Sequence, residues 1–584
     1  MSTAVGEYGN SSNMHVSRSH LPPYAGLCWK GLVVIAGALL TTALHPANGA
    51  AINARSPALA DVQTAIALAK DGDTVIVPAG TANWANQLTI TKGITLQGQT
   101  TITGAGTSTP TASDKTIIKN DVTSKSNMLN ISITAAQSFR LTGFTFQANL
   151  SKGTQVNVGS SGSAPSAPVT KMRIDHNHFV GWTDRAVWTG GWVYGVADHN
   201  YMQSAGAAQF FFLNMATYGG KLGGHGAWAD YPWFGTDKFF FIEDNTMIGS
   251  ASQVGNGATD AENGARFVVR HNYLYNAKVG NHGTEGGNRG GRAIECYNNT
   301  FNWTNTPGSM LRSGNALWHD NNYTGKTSSN NAITTISIFR EFGGVWNCPF
   351  GFGDGTGQFD QNDTEGNGTF VDGHSPHVFE SGTAVSGSQS SNATLTDSSK
   401  NWKVNQWAGY SVKQTNPSSP CYGKGSYIIS NTANTLTYSY YGATDRGPTL
   451  KFAAGDTYQI HKVLVAIDQA GRGKGDLLSG NTSAPMANTV AGHTSAHQAL
   501  EPVMSWNNVH TDGTAYGYSG AAPTVVGGRD YYNLGKGFPA NSTPSQVSST
   551  YTASLNGVAY TGTYTYPHPL TNDLLPPSNL AIVP

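Results

Sequence analysis

Short alternating runs of apolar and polar residues, each turning on an asparagine, recur along the middle of the chain: IDHNHF ending at Phe179, VADHNYM at Met202, IEDNTM at Met247, VRHNYL at Leu274, CYNNTF at Phe301 and HDNNYT at Thr324. The anchors, Asn177, Asn200, Asn245, Asn272, Asn299 and Asn322, are 23, 45, 27, 27 and 23 positions apart, one or two turns of a repeat a little over twenty residues long. That period is too short for a pair of helices and lacks the leucine lattice of a leucine-rich repeat, so it predicts a β-solenoid. Asn481 and Asn508, again 27 apart, extend the pattern.

Strand alternation then assigns the faces. Two residues after the asparagine stand Phe179, Met202, Met247, Leu274 and Phe301; three before it Ile174, Ala197, Ile242, Val269 and Cys296; five before it Met172, Phe240, Phe267, Ile294 and Leu317. These columns are the expected core. The asparagine itself is expected at a bend, in left-handed backbone, bonding its copies on neighbouring turns as a ladder.

Other segments set the limits of this pattern. Arg18 and Lys30 precede the apolar run Gly31–Leu44, followed by the small residues Ala47 and Gly49. Residues 1–50 therefore read as a signal peptide, the run being shorter than the ~20 residues of a membrane span. A helix from about Asp61 to Lys70 would cover the open end of the solenoid, which occupies residues 51–380. Residues 381–462 lack the ladder asparagine and read as an inserted β-module in which Trp402 and Trp407 form the core. The solenoid is expected to resume over 463–575 and to end in a Pro-rich tail, 576–584.

Composition narrows the function. Only 12% of residues are charged and 34 Lys+Arg balance 34 Asp+Glu, so no basic field exists to hold a nucleic-acid backbone. With 71 glycines and 38% hydrophobic residues, polarity comes mainly from Gly, Ser, Thr and Asn, which suits a secreted, extracellular or periplasmic, all-β protein. Cys28 leaves with the signal; Cys296, Cys348 and Cys421 are an odd set that implies no disulfide framework. A monomer is expected, without a membrane span once the signal is removed.

The asparagine repeat, together with DVQTAIALAKDGDTVIVPAGTANW and LTITKGITLQGQTTITGAG near the start, resembles the right-handed parallel β-helix, or pectin-lyase-like, superfamily. The paired-Asp motifs of its hydrolases and the Arg-Pro signature of its lyases are absent; GGHG at 223–226 matches only a histidine element. The resemblance implies a solenoid groove that binds an extended polysaccharide.

The candidate chemistry lies on the outward face, two, four and six residues before each asparagine, where Glu243, Arg266, Arg270, Glu295 and Tyr297 gather on adjacent coils. The alternative is a solvated face laced with ion pairs. Gly-rich loops add Asp260, Glu262, His282, Arg289 and Arg292; a segment of uncertain register adds Arg340, Glu341 and Trp346; Trp228, Trp233 and Trp318 could lie flat against sugar rings. The resemblance implies β-elimination of a uronic-acid polymer. Arg270 or Arg266 would be base or carboxylate clamp, with His282 or Tyr297 as replacement bases, and Glu243, Glu295, Asp260 and Glu262 would be ligands of a Ca²⁺ ion. Two readings stay open beside it: hydrolysis by Glu243 and Glu295 as paired carboxylates, and a non-catalytic carbohydrate-binding or adhesive surface.

Overall fold

The computed structural model describes residues 49–336 (less 124–126, 151–152, 163–164, 207, 219–226, 228–229, 251–256, 284–289, 305–308 and 326–331), 378–461 (less 390–391, 409, 423–424 and 440–449), 470–473, 499–520, 527, 531–534 and 560–573. Residues 1–48 of the expected signal peptide, Asn481, Cys348 and residues 576–584 lie outside them. Among the described residues, no helix is long and apolar enough to cross a membrane.

The chain winds as a parallel β-helix with three walls. A twelve-stranded sheet runs from Ala51–Asn53 to Tyr531–Leu534, a ten-stranded sheet from Gly80–Trp84 to Val509–His510, and a six-stranded sheet from Leu88–Ile90 to Gly257–Glu262. Every pairing in the three is parallel; Arg266–Arg270, for instance, lies between Phe240–Glu243 and Ala293–Tyr297. The expected inward columns fill the space between the walls, with Met172, Phe179, Ile242, Phe267, Leu274, Cys296 and Phe301 all fully buried. Cys296 carries a free thiol, which burial pushes up in pKa. The N-terminal helix spans Leu59–Leu68, and its Val62, Ala65 and Ile66 join this core.

The asparagines form a ladder at the bend between the twelve- and ten-stranded sheets. Asn272 Nδ2 donates to the carbonyls of Ile242 and Arg270 and to Asn299 Oδ1, while Asn272 Oδ1 accepts from the backbone N–H and the amide of Asn245. The same bonds link Asn177, Asn200, Asn245, Asn299 and Asn508. Two details differ from expectation. The left-handed residue is the one before each rung, His176, His199, Asp244, His271, Asn298, Asp320 and Asn507, with φ between 52° and 56°, so the ladder asparagine is freed to bond along the axis. And the sixth rung is Asn321, not Asn322. Asn322 is exposed and starts the next strand.

That one-residue slip turns its strand over. Ala316 and Trp318 point into the core and Leu317 points out, so Trp318, expected on a sugar-binding surface, is buried and donates its indole N–H to Tyr323 Oη at 2.9 Å.

Residues 378–461 form a separate seven-stranded antiparallel sheet over its own core, which includes Trp402, Trp407 and Cys421. Val503–Trp506 then pairs in parallel with Asn315–His319, and the coils continue.

Candidate functional site

From Arg173 to Trp506 the outward face of the twelve-stranded sheet is not exposed. Phe234 and the segment Tyr560–Thr571 lie over it and make a second core with Val196, Phe239, Phe241, Val268, Tyr297, Leu317 and Trp506. The charges beneath are paired. Arg140 holds Asp175 through two bonds of 2.7 and 2.6 Å, and Arg173 holds Asp198 through two of 2.9 and 2.8 Å. Arg270 bonds Glu243, Tyr297 Oη and the carbonyls of Tyr564 and Thr565, with neither its side chain nor that of Glu243 retaining any exposure. The backbone N–H of His568 completes Glu243. Arg270, Glu243 and Tyr297 therefore clamp the C-terminal segment onto the coils, and water or a polymer does not reach them. Beside them, Glu295 accepts a 2.6 Å bond from the Gly235 N–H through one oxygen, its other oxygen has no partner among the described residues, and burial pushes its pKa up to about 7.

Arg266 and Arg292 are sealed as well. Arg266 donates to the carbonyls of Ala227 and Tyr231; Arg292 donates to the Asp230 carbonyl, Asn315 and Glu501. Both fix Ala227, Asp230 and Tyr231 against the coils. Trp233 packs on the second core with the Lys238 ammonium 3.3 Å from its ring centroid.

The open chemistry lies on another wall. Along the outer face of the six-stranded sheet, register aligns Asn130, Asn157, Trp188, Phe212 and Asp260 in one column and Ser132, Gly159 and Gly190 in the next, which Asn214 and Glu262 continue. His282 belongs to the following coil, its N–H bonded to the Ala261 carbonyl at 2.7 Å. Arg312 belongs to the coil after that, its N–H bonded to Asn281 Oδ1 at 2.9 Å.

A line of contacts crosses these coils. Arg185 Nε donates to Gln209 Oε1 at 3.0 Å, and Gln209 Nε2 donates to Asp260 Oδ2 at 2.8 Å. The same Asp260 oxygen lies 2.8 Å from His282 Nδ1, and Arg312 Nη2 lies 3.3 Å from the other Asp260 oxygen and 3.0 Å from His282 Nδ1. These side chains keep access to water: His282 is 26% exposed, Arg312 14% and Asp260 10%. Glu262 accepts from Asn214 at 3.0 Å, and burial together with the neighbouring Asp260 carboxylate raises its pKa.

Of the residues singled out in the sequence, the structure brings Asp260, Glu262 and His282 together on this wall. It places Arg270, Glu243, Tyr297, Glu295, Arg266 and Arg292 under the covered one. Arg289, Trp228, Arg340, Glu341 and Trp346 lie outside the described residues. The carboxylates proposed to share a Ca²⁺ ion do not converge: Glu243 and Glu295 are on the covered face, whereas Asp260 and Glu262 are on the open one beside the cationic Arg312. Among the described residues, no group of three or more His, Cys, Asp and Glu side chains is placed to hold a metal ion. The chemistry below takes no step through calcium.

Arg185, Trp188, Gln209 and Arg312 were not anticipated. No ladder marks this wall, and the loops leading to it vary, so that Trp188, Phe212 and Asp260 follow their rungs by 11, 12 and 15 residues. Only the sequence spacing within each strand carried a signal.

An imidazole held by a carboxylate, next to an arginine and a second carboxyl of raised pKa, can move protons on a bound substrate. No family model, no curated protein and no solved structure matches the chain.

Proposed function

We propose that this is a secreted enzyme of the right-handed, pectin-lyase-like kind that cleaves an extended uronic-acid polysaccharide by β-elimination on the six-stranded wall. The observation that carries the reading is the partly exposed Asp260–His282–Arg312 cluster, set against the complete burial of the Arg270–Glu243 pair.

In the reaction, His282 takes the proton from C5 of a uronate whose carboxylate faces an arginine. The electrons of the C5–H bond form the C4=C5 double bond, the C4–O4 bond breaks with its electron pair going to O4, and the leaving oxygen takes a proton from water. Asp260, 2.8 Å from Nδ1, positions the imidazole. Arg312 places positive charge where the substrate carboxylate gains electron density. The protein works as a monomer in this reading, and its partner is the polysaccharide alone.

Hydrolysis is the second reading, and one observation favours it. Asp260 and Glu262 stand two positions apart on one strand face, about 6.6 Å by strand rise. That spacing falls at the near end of the roughly 6.5 to 9.5 Å used by inverting glycosidases. Glu262, its pKa raised mainly by burial, would be the acid and Asp260 the base.

Incubation with polyuronides and neutral glycans, with and without chelator, decides among these. Elimination yields a double bond conjugated to a carboxylate, seen as rising ultraviolet absorbance; hydrolysis yields reducing ends without it. Binding without either product would leave a carbohydrate-binding surface and sink both enzymatic readings.

A further inference from the structure

Arg185 is the unusual cation of this wall. It begins the strand Arg185–Gly190, half-buried, with its guanidinium carbon 4.2 Å from the Phe212 ring centroid and 5.0 Å from that of Trp188. Stacking on two aromatic faces fixes the plane of the group and leaves its edge for hydrogen bonding. Among the described residues, only Gln209 accepts a bond from it, at Nε, and no carboxylate stands within ion-pair distance. Arg140, Arg173, Arg270, Arg292 and Arg312 all have a carboxylate partner. Thus Arg185 has its orientation supplied by the protein and its terminal nitrogens without an acidic partner.

Side-chain bulk is low on the neighbouring column, where Gly190 is half-buried and Gly159 buried. Gly159 and Gly190 pair in register next to Trp188, so that column has no side chains there. The half-buried Trp188 offers ring surface alongside, and its buried indole N–H has no acceptor among the described residues. Arg185 lies two coils from Asp260, about 10 Å at the usual strand spacing, on the side away from Arg312.

We propose that Arg185, with Trp188 and the Gly159–Gly190 floor, forms a binding subsite for the carboxylate of a uronate unit in an extended acidic glycan. The unit it holds is displaced along the helix axis from the one that reacts at His282. This subsite rests on the reading of the wall as a uronide-binding site, and it adds a residue that acts on binding rather than on the chemical step. A polymer crossing the coils would be gripped at Arg185 and Arg312, on opposite sides of the Asp260–His282 pair.

The test measures binding in the His282→Ala background, where turnover does not consume the probe. Tetrasaccharides of galacturonate, mannuronate and guluronate, and their carboxyl-reduced neutral counterparts, are titrated by calorimetry. For whichever uronide binds, Arg185→Gln is expected to raise Kd at least tenfold. For its neutral counterpart the change should stay under twofold, and Arg185→Lys should recover part of the loss. Thermal melting checks that each variant is folded; in the active background Arg185→Gln should raise KM with kcat little changed. If a uronide binds and Arg185→Gln binds it equally well, the subsite is wrong while the reading of the wall stands. If no uronide binds the parent protein, that reading falls and the subsite with it.

Discussion

Asp260 Oδ2 and His282 Nδ1 lie 2.8 Å apart across adjacent coils, partly exposed, whereas the Arg270–Glu243 pair on the twelve-stranded sheet is fully covered. The pair is held by the solenoid itself: Asp260 is fixed by its strand, and His282 by the bond from its N–H to the Ala261 carbonyl. His282→Ala should therefore lower kcat by about 10²- to 10⁴-fold, the usual contribution of a positioned proton-transfer group, with an unchanged melting temperature. Glu262→Gln separates the two reactions. In elimination it should alter kcat only mildly. In hydrolysis it should abolish release of reducing ends, and activity should fall as pH rises through the elevated pKa of Glu262.

Asn272 makes the ladder testable. Replacing it with alanine removes two acceptors' donors, at the Ile242 and Arg270 carbonyls, and the oxygen that accepts both the backbone N–H and the amide of Asn245. All these groups are buried. With each orphaned group costing about 1 to 3 kcal/mol, Asn272→Ala should destabilise the fold by more than about 3 kcal/mol. Asn322→Ala, one residue beyond the true rung and exposed, should cost under about 0.5 kcal/mol. Urea midpoints of the two variants give the comparison, and equal losses would place the ladder elsewhere.

Much of this architecture was legible because one residue type marks one place in every coil. The inward columns follow from Asn177, Asn200, Asn245, Asn272 and Asn299 by counting alone. The count failed where Asp320, Asn321 and Asn322 offered two asparagines in a row, and the strand Asn315–His319 was read upside down. Outward does not mean exposed, which is why Arg270 and Glu243 looked like an open site. What hides them, Tyr560–Thr571, is far away in the sequence and carries no repeat. The wall with Asp260 and His282 was only half legible, since loop length rather than a marker residue sets its register.

Arg270 and Glu243 should behave as a structural pair. Arg270→Ala leaves the Glu243 carboxylate buried without its cation, and Arg270 no longer binds the Tyr564 and Thr565 carbonyls. Losing one partner of a buried ion pair typically costs about 3 to 5 kcal/mol. The double variant Arg270→Met with Glu243→Leu should be more stable than Arg270→Ala, because no lone charge remains. Denaturation of the single and double variants measures the coupling. A catalytic Arg270 would instead show wild-type stability with lost turnover.

Glu295 gives a pH dependence whose sign is fixed by burial. Its pKa rises from 4.5 to about 7 in the folded chain, because burial of the carboxylate outweighs the support of the Gly235 N–H and the nearby Arg270 charge. The folded protein therefore holds this proton more tightly than the unfolded chain does. Stability from this group is present in full below pH 4.5, declines as pH rises, and is gone above about pH 7. A shift of that size corresponds to roughly 3 kcal/mol. Glu295→Gln keeps an acceptor for Gly235 and cannot ionise. Whatever constant offset the new amide introduces, the stability difference between wild type and variant should move by roughly 3 kcal/mol in favour of the variant between pH 4.5 and pH 8. Other groups whose pKa values burial also raises, among them Glu243 and Glu262, cancel in the difference because both proteins contain them. Urea denaturation at a series of pH values reads this directly. Parallel stability curves for the two proteins would mean that Glu295 is ionised and solvated in the folded chain, and that the cover over the twelve-stranded sheet is open beside it.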